Sequence, residues 1–271
     1  MRPRFEPVEL RHGGSIVKGY LCRVETSSGQ PGLGFGFDPI TAQEMALADA
    51  EAREDGIPLC ELFGGSPGVE VTSVLHVSSH DRHGVWNEAW GGAGAGYESL
   101  MVEAGSAVAP LSCAGPETLI VDGRGKDADR TVEEAKEICS DVVLLSDREV
   151  DTDVPLFVEV SSREELENVE EASGVALSVQ RVGFLDSVLM GERARDMGFA
   201  VMVLTERESA VSVKAAAHLA GALEAEYADL SGHLGIVGDF EALGYAPEME
   251  LTGPGREVRV HHDPYELAEA P

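Results

Sequence analysis

The chain has 271 residues, and 20 Lys and Arg residues against 49 Asp and Glu residues give it a formal net charge of −29. Nucleic acids and anionic membrane surfaces are polyanions that basic patches bind, so this charge balance argues against both as partners. The hydrophobic content of 43 % argues against disorder. No apolar run reaches the roughly 20 residues of a membrane span, and residues 1–10 contain no signal-peptide core. We therefore expect a soluble, cytoplasmic, globular protein.

The first 65 residues predict a small α+β unit. Residues 16–25 (IVKGYLCRVE) are typical of a strand, and the Gly-spaced segment at 32–36 predicts another. Residues 41–55 carry apolar side chains at helical spacing, with Thr41 and Glu44 as a capping box. The G-x-G-x-G run at 32–36 has neither the Rossmann spacing nor a following P-loop lysine, so it does not indicate a nucleotide site.

Eight short apolar runs follow, and helical segments separate several of them. Near-continuous apolar strands that alternate with helices are typical of a buried parallel sheet. Eight such units in one series predict an α/β fold with a compact (β/α)8 TIM-like barrel. The predicted strands are 69–77, 98–104, 118–122, 141–146, 154–160, 175–180, 199–205 and 227–231, and the predicted helices are 129–138, 162–172, 184–197 and 209–224.

This barrel is short for its type. Each predicted unit averages about 20 residues, against about 31 in a typical barrel of ~250 residues. The connection 147–153 is too short for a helical crossover, which needs about ten residues or more. The connection 105–117 contains Pro and Gly and little helical pattern. We expect a barrel that lacks one helix and part of another; the alternative is that the strand count is wrong.

Four segments carry motifs that point to one family. Residues 44–65 (EMALADAEAREDGIPLCELFGG) join an Ala- and Asp-bearing helix to a G-x-P-L-x-x-L-x-G-G segment. Residues 197–223 combine a strand, a Glu-Ser pair and a helix, and YADLSG (227–232) and GPGREVRVHHDPYEL (253–267) follow. Together these segments resemble the mandelate racemase and muconate lactonizing enzyme branch of the enolase superfamily.

The resemblance implies three parts of the chain. Residues 1–65 would form a reduced N-terminal capping domain, whose usual helical portion is missing after Asp38. Residues 66–235 would form the barrel, and residues 236–271 would return to the capping domain. The resemblance also implies a homo-oligomer.

The chemistry that the resemblance implies is metal-assisted abstraction of a proton next to a carboxylate, as in racemases, epimerases, cycloisomerases and lyases. Such chemistry needs a base and a divalent ion, and Mg²⁺ prefers carboxylate oxygens. The implied ligands are Asp122 on the third strand and Glu159 on the fifth. On the fourth strand Ser146 stands at the ligand position, and Asp147 follows it. A small carboxylic acid is the implied substrate and Mg²⁺ the implied cofactor.

The lysines of the family's site are absent. Met101 and Glu103 replace the Lys-x-Lys of the second strand, and Ser178 stands at the lysine position of the sixth. A general base must lie within hydrogen-bond reach of the proton that it takes. The remaining candidates are Glu103, His76, His80 and His83, of which His76 lies inside a strand and is more typical of a core histidine.

We predict His80 and Glu103 as catalytic residues. Glu208, which matches the Glu of the seventh strand, is predicted as a secondary electrophile or hydrogen-bonding group. Acidic residues gathered at one barrel mouth repel one another, so a cation neutralises them or some of their pKa values rise. The alternative is that half of them are solvated charges in a protein that is acidic everywhere; the set is Glu103, Asp122, Asp147, Glu159, Glu206, Glu208 and Asp229.

Two functions therefore stay open, with a third behind them. The first is an isomerase or lyase that enolizes a small carboxylate. The second is a non-catalytic descendant that serves as a binding or scaffold protein, which the absent lysines favour. The third is another metal-dependent reaction, such as hydrolysis by an Asp/Glu cluster and a bound water.

The acidic composition also predicts adaptation to a salt-rich cytoplasm, with an ordinary acidic surface as the alternative. Only four of the 20 basic residues are Lys. In molar salt the Debye length falls to ~3 Å, so most of the self-repulsion is screened. We expect the melting temperature to rise between low and molar KCl. A melting temperature that does not rise with KCl would contradict this adaptation.

Overall fold

The N-terminal part of the chain is an antiparallel sheet covered by a helix. The computed structural model describes residues 2–241 and 243–261. Strands β1 (Arg4–His12), β2 (Ser15–Glu25) and β3 (Pro31–Gly36) form a meander, and helix α1 (Pro39–Asp55) follows. The predicted capping box is wrong. Asp38 is the N-cap, because its carboxylate accepts the backbone N–H groups of Ile40 and Thr41.

The Gly-spaced run has a packing role. Because strand residues alternate between faces, Gly32, Gly34 and Gly36 share the face that lies against α1. A Cβ atom on Gly32 would lie 2.0 Å from the carbonyl oxygen of Ala46, and one on Gly34 would lie 2.2 Å from that of Ala42. The motif therefore lets the helix approach the sheet backbone.

Eight parallel strands form a closed barrel, as predicted. The first strand pairs with both the second and the eighth, which closes the ring. All eight predicted runs contain a strand. The barrel strands are β4 (Glu70–Val77), β5 (Ser99–Glu103), β6 (Thr118–Asp122), β7 (Asp141–Ser146), β8 (Leu156–Glu159), β9 (Gly174–Ser178), β10 (Ala200–Leu204) and β11 (Tyr227–Asp229).

The helices confirm the expectation of a reduced barrel. Residues 147–155, between β7 and β8, are all described and contain no helix, and the β5–β6 connection holds only a 3-10 helix at Ala109–Cys113. No helix in the described ranges is long and apolar enough to cross a bilayer. The α-helices after α1 are α2 (Leu59–Leu62), α3 (Arg82–Ala95), α4 (Asp129–Lys136), α5 (Arg163–Glu167), α6 (Val179–Val182), α7 (Phe184–Asp196) and α8 (Ala210–Ala222).

The interior of the barrel sets the direction of every side chain at its mouth. One apolar cluster fills it, formed by Val74, Met101, Ile120, Val143, Leu145, Phe157, Ala176, Met202 and Leu204. Since strand residues alternate, positions two residues further along also face inward. This register turns His76, Glu103, Asp122 and Glu159 toward the barrel axis.

The C-terminal segment returns to the capping sheet. Strand β12 (Ile236–Val237) pairs with β1, while β13 (Glu248–Glu250) pairs with β4 and with β14 (Arg259–His261). Arg256 is buried and donates two hydrogen bonds of 2.7 Å to Glu241. Its backbone N–H binds Asp49 of α1. The rest of the resemblance segment, after residue 261, lies outside the described residues.

A buried chain of polar groups joins the capping sheet to the barrel. The backbone N–H of Phe37 donates to Gln180 Oε1 at 2.8 Å, and Gln180 Nε2 donates to Glu208 at 2.5 Å. Ser212 and the backbone N–H of Glu206 also donate to the Glu208 carboxylate. Burial raises the pKa of Glu208 to about 7, although these hydrogen bonds favour the charged form.

The raised pKa of Glu208 predicts a pH-dependent stability. In the folded chain the Glu208 carboxyl keeps its proton at pH values where the unfolded chain has released it. The free energy of unfolding therefore falls as pH rises from about 4.3 to about 7. We expect Glu208→Gln to gain stability relative to the wild type, by about 3 kcal/mol at most, between about pH 5 and about pH 8. Urea unfolding across this range measures the difference.

Glu165→Gln is the matched control. Hydrogen bonds from Ser161 lower the pKa of Glu165, so this carboxylate stays ionised over the same pH range. The free energy of unfolding of Glu165→Gln should therefore differ from that of the wild type by an amount that does not change with pH. If the difference in unfolding free energy between Glu208→Gln and the wild type is also independent of pH, the raised pKa of Glu208 is contradicted.

Candidate functional site

A cavity of about 670 Å³ lies between the capping sheet and the carboxyl ends of the barrel strands. The capping part contributes His12, Val17, Lys18 and Phe37. The barrel contributes both apolar and charged side chains. Its lining residues include Leu75, His76, Ser78, Glu88, Glu103, Asp122, Arg124, Thr205, Glu206, Arg207, Asp229 and Ser231. A reduced capping part therefore still covers the position where barrel enzymes carry their sites.

Asp122 and Glu159 are brought together by an arginine that sequence reasoning missed. Arg124 Nε and Nη2 donate to the two carboxylate oxygens of Asp122 at 2.9 and 2.7 Å. Its third nitrogen, Nη1, donates to Glu159 Oε1 at 3.1 Å. Burial opposes the charge on Asp122, but the bonds and charge of Arg124 lower its pKa below the ordinary value. The guanidinium thus lies between two predicted metal ligands.

The third predicted ligand does not join them. Leu145 is the inward-facing residue near the end of β7, so Ser146 points to the opposite face of that strand. The exposed side chain of Asp147 accepts the backbone N–H of Gly125 at 3.1 Å. The middle position of the predicted metal site is therefore occupied by an apolar side chain.

The residues present do not fit a magnesium site. Mg²⁺ requires near-octahedral oxygen ligation, and Arg124 already bonds the two inward carboxylates while Leu145 offers no oxygen. No group of three or more His, Cys, Asp or Glu side chains in residues 2–241 and 243–261 could hold a metal ion. The ligand set of Asp122, Asp147 and Glu159 therefore stays a prediction from the resemblance; in the structure Arg124 bridges Asp122 and Glu159, and Asp147 bonds the backbone of Gly125 instead.

A second arginine extends this network around the barrel mouth. Arg181 Nη1 donates to Glu159 Oε2 at 3.3 Å, and its Nε donates to Glu206 Oε1 at 2.8 Å. The predicted repulsion among the acids is therefore relieved from within the chain, by guanidinium groups.

Glu103 and His80 lie near each other, but each has another partner. Lys126 Nζ lies 2.5 Å from Glu103 Oε2 and lowers the pKa of this carboxyl. His80 Nδ1 bonds the Ser106 hydroxyl at 2.8 Å, and its Nε2 lies 3.8 Å from Glu103. Glu103 lines the cavity, whereas the exposed His80 lines a smaller one of about 420 Å³ beside it. Lys126 is thus a lysine at the barrel mouth, and it lies in the loop after β6, beyond the predicted strand end.

Glu208 lies apart from the other two predicted catalytic residues. It is 1 % exposed and is not among the residues that line the cavity. Its carboxylate belongs to the buried chain that leads from Gln180 to Phe37. The three predicted catalytic residues therefore do not meet at one point.

His76 is the base candidate that the structure turns into the cavity. Its Nδ1 lies 3.8 Å from Asp229 Oδ2, and its backbone N–H donates to Ser231 Oγ. Burial raises the pKa of Asp229, while His76 and two hydrogen bonds from Ser231 act in the opposite direction. His76 Nε2 is buried and has no hydrogen-bond partner among the described residues. Its alternation with Val74 is the sequence signal for this inward direction.

Comparisons with known proteins support the fold. No protein-family model matches the sequence, and neither does any curated protein. The L-Ala-D/L-Glu epimerase from Bacillus subtilis is 16 % identical, with a TM-score of 0.79 and an alignment over 95 % of this chain and 98 % of that one. The mandelate racemase/muconate lactonizing protein from Herpetosiphon aurantiacus is 18 % identical, with a TM-score of 0.76 over 96 % and 98 %.

A third structure is similar over the same range. The dipeptide epimerase from Methylococcus capsulatus, complexed with a Mg ion, is 15 % identical, with a TM-score of 0.80 over 96 % of this chain and 99 % of that one. At such identities the likeness is one of fold. The chain thus has the fold of the mandelate racemase and muconate lactonizing enzyme branch of the enolase superfamily, as the resemblance of its sequence predicts.

Proposed function

We propose that this chain is a non-catalytic descendant of that enzyme fold, a binding protein that takes a small molecule in the cavity between its capping sheet and its barrel. The observation that carries the proposal is the separation of the predicted catalytic set. Glu208 is outside the cavity, His80 bonds Ser106, and Glu103 is neutralised by Lys126. Proton abstraction needs a base at the reacting carbon, and none of the three faces that position unpaired.

The electrostatics of the cavity support the same function. Its described lining contains five acidic residues against three Lys and Arg residues. An enolizing enzyme stabilises the extra negative charge of its intermediate with a cation. Here the bridging guanidinium is already bonded to two carboxylates, so this cavity disfavours the growth of negative charge on a carboxylate.

One observation favours a second candidate, which is metal-independent acid–base chemistry. His76 lines the cavity, and its buried Nε2 has no hydrogen-bond partner among the described residues, while its Nδ1 lies 3.8 Å from Asp229 Oδ2. A histidine oriented by a carboxylate is a common general base. In this alternative His76 takes the proton next to a carboxylate, and the products are those of an isomerase.

Two measurements on the full chain in molar KCl separate these functions. The first follows α-proton exchange in D₂O for a panel of small carboxylic acids, with and without MgCl₂. We expect no exchange beyond that in protein-free buffer. Exchange that requires the protein and is lost in His76→Asn would contradict the binding function and support the second candidate.

The second measurement is a thermal-shift screen with small carboxylates, amines and polyols. Val17 lines the cavity, whereas the adjacent Ile16 is on the other face of β2 and is 58 % exposed. We expect Val17→Trp to abolish the shift caused by a binding compound, because the indole projects into the cavity and blocks part of it, and Ile16→Trp to retain the shift. Shifts that are equal in both variants would contradict the cavity as the binding site.

A further inference from the structure

The bridge at the barrel mouth joins two strands that are not neighbours. Asp122 ends β6 and Glu159 ends β8, and β7 runs between them with Leu145 facing inward. Both carboxylates are nearly buried, with 8 % and 7 % of their side chains exposed. Two such charges in a low-dielectric position repel each other strongly. A cation that lies between the two carboxylates relieves this repulsion.

The loop after β6 is shaped to supply that cation. Asp122, Gly123, Arg124 and Gly125 follow each other directly. Gly125 has a φ of +66°, which favours glycine, and its N–H is held by Asp147. The turn brings the guanidinium back over the strand that it has just left. The planar guanidinium donates two hydrogen bonds to the Asp122 carboxylate and a third to the Glu159 carboxylate.

We propose that Arg124 is a built-in cation that replaces a divalent ion at this barrel mouth. Its positive charge holds the ends of β6 and β8 together without metal, and Asp147 positions its loop. Removing the guanidinium leaves Asp122 and Glu159 as a pair of inward oxygen donors, which then bind a divalent cation whose remaining ligands are water, since Leu145 supplies none. The inference goes beyond the proposed function, because it concerns the charge that stabilises the mouth and not the ligand in the cavity.

Arg181 provides a matched control. It is also an arginine, and it also bonds Glu159, at 3.3 Å, but its other bond is to Glu206 and it does not bond Asp122. Substituting either arginine by alanine changes the net charge of the chain by the same amount. The attraction of cations that arises from the net charge of the chain is therefore the same in the two variants.

The experiment measures thermal unfolding and Mn²⁺ binding by calorimetry in molar KCl for the wild type, Arg124→Ala and Arg181→Ala. We expect wild type and Arg181→Ala to show no stoichiometric binding and no Mn²⁺-dependent shift. Arg124→Ala should melt at a lower temperature without metal, regain several degrees in millimolar MnCl₂, and bind one equivalent of Mn²⁺. Adding Asp122→Asn to Arg124→Ala should abolish that binding.

Two results would overturn the inference. One is stoichiometric Mn²⁺ binding by the wild type that Asp122→Asn removes. The other is a response of Arg124→Ala to Mn²⁺ no larger than that of Arg181→Ala.

If Arg124→Ala does not fold, Arg124→Gln and Arg124→Lys serve the same purpose. The neutral glutamine should respond to Mn²⁺ and the charged lysine should not, and equal responses of the two would also overturn the inference. None of these measurements uses α-proton exchange, so the proposed function stands or fails separately.

Discussion

Charge neutralisation at the barrel mouth is the constraint on which the site depends. Closing eight parallel strands into a ring turns Asp122 and Glu159 toward one axis, where both side chains are nearly buried and like charges are costly. Arg124 resolves this conflict with three hydrogen bonds. Removing one partner of a buried ion pair costs on the order of 3–5 kcal/mol, which is a large share of the stability of a domain.

The barrel and the capping sheet are both built from fewer elements than usual. One inter-strand connection lacks a helix, yet the ring closes because extended chain can return along a short strand. The capping sheet is small, but Gly32, Gly34 and Gly36 bring α1 directly onto it, and its other face packs Leu21 and Phe35 against Val211 of α8. A cavity persists beneath this reduced cap although the groups that the resemblance assigns to catalysis are dispersed or paired.

Sequence periodicity predicted the parts of the fold that bury apolar side chains. The eight barrel strands were predicted because most of them are short apolar runs, as in TLIVD and AVMVL. Strand β1 was missed because its side chains are mostly exposed and its few apolar residues alternate with charged ones, so it contains no apolar run. Helix α3 was missed because its second half, WGGAGA, is rich in glycine, which local propensity disfavours in helices.

The site was less predictable, because it depends on register and on loop direction. A shift of one residue decides whether β7 presents Leu145 or Ser146 to the axis, and the DVVLLS segment alone does not reveal which. Asp122 and Glu159 were predicted as metal ligands because they end strands, and both face inward in the structure. Arg124 and Lys126 lie just beyond one such end, and the basic residues in D-G-R-G-K were the available signal.

A crystal structure of the full chain, soaked in MnCl₂ and measured at a wavelength where manganese scatters anomalously, tests the central claim most directly. We expect the Arg124 guanidinium within hydrogen-bond distance of both carboxylates and no anomalous peak between them. A manganese peak bonded to Asp122 and Glu159, with Arg124 displaced, would contradict it and restore the metal site that the family resemblance implies.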